Sequence, residues 1–176
     1  AYGGYLYIGG GCNTGTLTAC TLQYQAVYSA PLSSSGGLTA SFTGIGNFTN
    51  NRFGLGMVIA NNYLYIIGGS GSTGVYYGDT QYAQLASGGT LASNAGCGTT
   101  WCSTNSSLAT NRYGIGAVAY QGYIYVAGGY NGTTYYNNVQ SAPINNGGFG
   151  ALGSWLTSSH SLTTARDSAM TVAYNG

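Results

Sequence analysis

Asn111-Arg112-Tyr113-Gly114-Ile115-Gly116-Ala117-Val118-Ala119-Tyr120-Gln121-Gly122-Tyr123-Ile124-Tyr125-Val126-Ala127-Gly128-Gly129 decides the reading of this chain, because nearly the same stretch stands sixty residues earlier. There it runs from Asn51-Arg52-Phe53 to Ile67-Gly68-Gly69, with the arginine 16 residues before the double glycine in both copies. Its second half returns at the front, from Ala1 to Gly11, and its first half returns at the back, from Arg166 onward. Self-similarity at a fixed period marks one supersecondary unit used repeatedly, each copy relying on its neighbours to cover its apolar surface.

Working outward, every copy shows the same order of features. Two apolar runs come first, such as 116–120 and 123–127, separated by Gln121-Gly122 or Asn61-Asn62, pairs suited to a tight hairpin turn with positive φ. A third run follows the double glycine: Val27 to Leu32, Thr80 to Leu85 and Val139 to Ile144. Each third run leads to another glycine pair, Gly36-Gly37, Gly88-Gly89 or Gly147-Gly148, and then to an aromatic residue, Phe42, Trp101 or Trp155, ahead of the next arginine. Tyr, Val, Ile and Thr fill the runs while Gly, Asn and Ser fill the breaks, as strands and turns require. The run Tyr63-Leu64-Tyr65-Ile66-Ile67 is apolar on both alternations, so the strand is covered on both faces. A four-stranded antiparallel sheet stacked between two like sheets is a propeller blade. The expected fold is all-β, with about three blades: repeats at 1–51, 52–111 and 112–165, and 166–176 opening a further blade.

The combination of Arg with a following Val or Ala, then Tyr-Leu/Ile-Tyr-Ile/Val-x-Gly-Gly, then a tryptophan resembles kelch repeats of the galactose-oxidase-like propeller group. Ala142-Pro143-Ile144 and Gly153-Ser154-Trp155 resemble the longer version found in bacterial cell-surface proteins. The likeness runs along nearly the whole chain. It departs where Gln84 replaces a proline, Phe42 a tryptophan and Gly9 an apolar strand residue. Closed propellers of this kind have 4–8 blades. The expectation is therefore a partial propeller, either a stretch of a longer repeat array or a subunit whose blades are completed by other copies of itself.

Only 3% of residues are charged, namely Arg52, Arg112, Arg166, Asp79 and Asp167, and the net charge is +1. Ordinary domains carry about 25%. Such a chain offers no electrostatic footprint for nucleic acid or an anionic membrane, and no run is long enough for a membrane-spanning helix. Cys12 and Cys20 lie in an insertion of the first repeat, and Cys97 and Cys102 in an insertion of the second. Pairing within each insertion staples one extended loop apiece and implies an oxidising compartment. The spacing Cys97-x-x-x-x-Cys102 and the single His160 argue against a metal site.

The chemistry-bearing residues are few. The resemblance implies that a propeller enzyme of this group would carry a metal or an acid-base set on its axis. No catalytic residue and no cofactor is assigned here: one histidine does not make a copper site, and Asp79 and Asp167 occupy different repeat positions. Arg52, Arg112 and Arg166 share a repeat position, which points to a structural role with guanidinium donors on backbone carbonyls. Tyr76-Tyr77 and Tyr135-Tyr136 stand in or beside the loop after the double glycine and are the best candidates for contacts with a glycan or a partner. Asn47, Asn105 and Asn131 begin glycosylation sequons. The expected function is a non-enzymatic structural or adhesive module of a cell-surface protein or extracellular filament. Its expected partners are further blades of the same chain or other copies. The alternatives are a lectin-like propeller and part of a propeller enzyme whose catalytic residues lie outside these residues.

Overall fold

The computed structural model describes all residues except 14, 17, 18, 145–148, 175 and 176. The glycine pair Gly147-Gly148 therefore lies outside the described residues. Apart from a 3-10 turn at Ser87–Gly89, the regular structure is antiparallel β. Three sheets follow one another along the chain. The first contains β1 (Tyr5–Gly9), β4 (Ala26–Pro31) and β5 (Thr43–Asn47), and a small ribbon of β2 (Gly15–Thr16) and β3 (Ala19–Cys20) fills its insertion. The second orders β6 (Gly56–Ala60), β7 (Tyr63–Ser70), β8 (Tyr76–Leu85) and β10 (Trp101–Ser103), with β9 (Leu91–Ala92) also on β8. The third orders β11 (Gly116–Tyr120), β12 (Tyr123–Ala127), β13 (Asn138–Pro143) and β14 (Leu156–Ser161).

The first two strands of a sheet join through two residues with positive φ: Asn61 and Asn62 at 48° and 68°, Gln121 and Gly122 at 45° and 80°. Such a turn matches the twist of the strands it links, and it sets the register Ala60↔Tyr63 and Tyr120↔Tyr123. The first sheet has three strands, as expected where only the second half of the repeated stretch stands at the front. It has no counterpart of β6 and β11, and Tyr2 reaches only an isolated bridge to Tyr5.

Every residue of β7 is buried. Tyr63, Tyr65 and Ile67 enter a core shared with Ile124, Val126 and Ala142 of the third sheet. Leu64 and Ile66 face the other way, into a core shared with Tyr7, Val27 and Phe48 of the first. Period-two alternation thus feeds two cores at once, which is why neither alternation is polar. Gly9 has a packing reason as well, since a Cβ there would sit 3.1 Å from the Met57 sulfur of the next sheet.

The double glycines are the seams between sheets. The second glycine of the pair donates its N–H to the carbonyl of the next repeat's arginine: Gly69 to Arg112 at 2.9 Å and Gly129 to Arg166 at 2.8 Å, with Gly11 donating to Arg52 at 3.0 Å. A Cβ on Gly10, Gly68 or Gly128 would stand 2.7, 2.8 or 2.5 Å from that same arginine oxygen, and all three have φ between 58° and 69°. Backbone approaches backbone here, so no side chain fits. The path continues past the third sheet: Ser168 N–H donates to Gly114 at 2.6 Å just as Gly114 N–H donates to Gly54 at 2.7 Å.

Stacking leaves the third sheet uncovered on one face. The cross-strand row Tyr65–Tyr82–Cys102 is buried under the third sheet, whereas its equivalent Tyr125–Ser141–Leu156 ends with Leu156 65% exposed. All of β14 is exposed, as are Met170, Val172 and Tyr174.

Candidate functional site

Two places gather polar and aromatic side chains: the sockets of the repeat arginines and a cluster of rings beside the seams. Arg52 is fully buried. Its Nη1 donates to the Gly68 carbonyl at 3.0 Å and to Asp79 Oδ1 at 2.8 Å; its Nη2 donates to the Thr49 carbonyl at 2.9 Å and to Asp79 Oδ2 at 3.3 Å; and its guanidinium lies 4.0 Å over the Tyr77 ring. Arg112, also fully buried, repeats this with the Gly128 carbonyl at 3.1 Å, Asn138 Oδ1 at 2.7 Å and the Tyr136 ring at 3.9 Å. Burial pushes the Arg112 pKa below its ordinary value, with Tyr136 opposing. Arg166 differs from the expectation for all three. Its backbone holds the seam, but its side chain is exposed and makes one bond, to the Thr164 carbonyl at 3.2 Å. The elements that bury the other two are a strand such as β7 or β12 and its double glycine.

Two socket residues escaped the sequence reading. Gln81 and Gln140 hold the same repeat position and are buried, and their Oε1 atoms accept from Thr49 N–H at 2.8 Å and Ala109 N–H at 2.9 Å. Each anchors the segment entering its sheet. Their shared position in the third run was the available signal. Asp79 was passed over because its repeat position differs from that of Asp167, whereas its partner is Arg52 and its equivalent is Asn138.

The tyrosine pairs separate. Tyr76 and Tyr77 belong to β8, paired with Ser70 and Gly69, rather than to a loop. Tyr77 and Tyr136 are the platforms under the arginines. Tyr76 and Tyr135 join the ring cluster. Tyr76 stacks on Tyr113 at 5.7 Å with planes 8° apart, Tyr113 meets Phe53 at 5.5 Å and Tyr130 at 5.9 Å, and Tyr130 stacks on Tyr135 at 4.3 Å. Burial raises the Tyr113 pKa, with Asp167 adding to it. Tyr135 is 53% exposed, and Tyr130 beneath it is tied to the Gly132 carbonyl at 2.7 Å. The crevice between Phe53, Tyr76, Tyr113 and Cys20 holds about 30 Å³, room for a water but not for a sugar ring.

The structure pairs Cys12 with Cys20 and Cys97 with Cys102, at Cα–Cα distances of 5.8 and 5.9 Å, each within its own insertion. Asn47 and Asn105 are exposed. Asn131 is engaged within its loop: Oδ1 accepts from Thr133 and Thr134 N–H, and Nδ2 donates to the Tyr136 hydroxyl at 2.7 Å. His160 is exposed on β14, with Ser159 3.2 Å from its Nδ1. Among the described residues no three His, Cys, Asp or Glu side chains come together, and no helix is long and apolar enough to cross a membrane. A concavity of about 490 Å³ runs along the inner strands β6 and β11, lined by Ala1, Tyr7, Met57, Val58, Ile59 and 117–119. Apart from the Tyr7 hydroxyl and the Met57 thioether, the lining side chains are aliphatic.

Comparison with known proteins agrees with the geometry. Residues 111–141, which contain the whole of the opening stretch, match the family model described as the Kelch motif. Among solved structures, the chain is similar to YjhT, a kelch-type β-propeller, with a TM-score of 0.59 and 14% identity over 87% of this chain and 43% of that one. The chain thus spans less than half the length of that relative. Matches extend to 112 chains of solved structures, so the fold is widely used and does not by itself define an activity. No curated protein matches the chain. The chain has the fold of a partial kelch-type, galactose-oxidase-like β-propeller.

Proposed function

We propose that this chain is a non-enzymatic structural or adhesive propeller module of an extracellular surface protein or filament, completed by further blades of the same chain or by other copies. The observation that carries the reading is the uncovered face of the third sheet. Tyr125, Ser141 and Leu156 stand in the row whose equivalent in the second sheet is buried by a neighbouring blade. An apolar sheet face of this kind marks an interaction surface. The near absence of charge supports association through hydrogen bonds and apolar contact, with little sensitivity to salt. Two loop-stapling disulfides are compatible with secretion, and the exposed Asn47 and Asn105 are open to glycan attachment. Sedimentation at micromolar concentration tests the reading: the chain should associate, and Leu156→Asp should reduce association. A sharp monomer with a cooperative melt would overturn it.

A second reading, glycan binding, rests on Tyr135. Half-exposed and backed by Tyr130, it offers a rigid aromatic face of the kind sugars stack on. A glycan array comparing the chain with Tyr135→Ala tests it. Binding that survives the substitution, or no binding at all, removes this reading.

A further inference from the structure

The two buried arginine sockets share most of their contacts. In both, Nη1 bonds the first glycine of the double glycine, at 3.0 and 3.1 Å, and Nε bonds the carbonyl two residues back, at 3.4 and 3.2 Å. In both, a tyrosine ring lies beneath at 4.0 and 3.9 Å, and a glutamine Oε1 accepts from the entering segment. They differ at two acceptors: the second oxygen of the socket's acidic residue, and the carbonyl of the entering segment, which neither Arg112 Nη2 nor Gln140 Nε2 bonds. In the second repeat, Asp79 Oδ2 accepts from Arg52 Nη2 at 3.3 Å and from Gln81 Nε2 at 2.8 Å. Both donors also share the Thr49 carbonyl, at 2.9 and 3.1 Å.

In the third repeat that residue is Asn138. Its Oδ1 takes Arg112 Nη1 at 2.7 Å, so its other terminal atom is an amide nitrogen, itself a donor. Arg112 Nη2 and Gln140 Nε2, the two donors that would meet there, are both buried without a partner. Among the described residues, Arg52–Asp79 is the one ion pair. Arg112 therefore combines full burial, no counter-charge and an unused N–H group beside an unused amide. A buried guanidinium lacking both is costly, and so is each orphaned donor.

We infer that the Arg112 socket binds a small monovalent anion of the halide class. The anion lies beside the Asn138 amide nitrogen and accepts from Arg112 Nη2 and Gln140 Nε2. It supplies the missing charge as well as the missing acceptor, which a water would not. Asn138 stands partly exposed, so the socket meets solvent on that side. Asp79, whose side chain is 34% exposed, supplies that charge to Arg52 as an ion pair within the chain.

Bromide soaks of crystals of the chain, read by anomalous diffraction, test this with an internal control. A peak is expected between Arg112 and Gln140 and none at the Arg52 socket. A second measurement keeps the claim falsifiable without crystals. At constant ionic strength, exchanging gluconate for chloride should raise the melting temperature by about 2–4 °C. Asn138→Asp should melt higher in gluconate and lose the chloride increment. Asp79→Asn should enlarge the increment and gain a bromide peak beside Arg52. Solvent density without anomalous signal at Arg112, or a melting temperature indifferent to chloride in the unsubstituted chain, would overturn the inference.

Discussion

Replacing Gly68 by alanine should open the seam between the second and third sheets, and the cost can be worked from the structure. Gly68 has φ 58°, a left-handed conformation that costs an alanine roughly 1–2 kcal/mol. The added Cβ would stand 2.8 Å from the Arg112 carbonyl oxygen, with Ile115 Cδ1 and the Tyr77 carbonyl at 3.4 Å on its other sides. Relief requires the arginine backbone to withdraw. That lengthens the Gly69 N–H bond to the same oxygen, now 2.9 Å, at a further loss of about 0.5–1.5 kcal/mol. The sum is about 1.5–3.5 kcal/mol. Gly74 supplies the control: it has φ 80° and open space around its Cβ position, so Gly74→Ala should cost the conformational part alone, roughly 1–2 kcal/mol. Urea unfolding followed by circular dichroism reads both as shifts in midpoint at constant slope. Gly68→Ala should fall below Gly74→Ala by about 0.5–1.5 kcal/mol. Equal midpoints would refute the seam argument and leave the double glycine as a matter of φ alone.

The arginine series should be unequal despite the shared repeat position. Arg52→Met removes donors from the Gly68 and Thr49 carbonyls and strands Asp79, a loss of about 3 kcal/mol or more, while Arg166→Met in this chain should stay within about 0.5 kcal/mol; similar losses in the same urea assay would contradict the burial difference. Alkaline stability should depend on Tyr65, whose hydroxyl donates to the Gly150 carbonyl at 2.8 Å and whose burial holds its pKa well above the ordinary 10.0. The unfolded chain ionises this group first and so binds fewer protons, which means that stability is full below about pH 10 and falls as pH rises beyond it; Tyr65→Phe should flatten that fall in a pH series of melts, and an unchanged slope would exclude Tyr65 as its source.

Much of this architecture was legible in the residues. Strand order, hairpin turns and the two-sided burial of β7 follow from repeated apolar runs, from Asn61-Asn62 and Gln121-Gly122, and from a run with no polar alternation. The pairing of cysteines within each insertion was legible too, because short loops bring their ends together at little entropic cost. The ring cluster was not. Phe53 and Tyr113 meet because successive blades bring equivalent positions, sixty apart in sequence, side by side, and Tyr130 joins them through a bridge to Tyr113 across 17 residues. The roles of Tyr77 and Tyr136 were hidden for the same reason: their arginines lie 24 or 25 residues away along the chain.

By itself, the sequence determined the unit: a strand-turn-strand pattern closed by a double glycine, repeated with the same arginine at the same offset. Those are local matters, settled by side-chain alternation and by the few residues that tolerate positive φ. The tertiary structure decided what each repeated residue does. Gly68 is a seam because the Arg112 carbonyl arrives beside it, and Arg112 is buried because the Gly128 carbonyl, Asn138 and the Tyr136 ring close around it. Asp79 became a counter-ion, and Asn138 left a socket without one, through contacts that close only when the blade folds. Identical positions acquire different physics from their neighbours, since burial and charge compensation belong to the assembled sheet stack and not to the repeat.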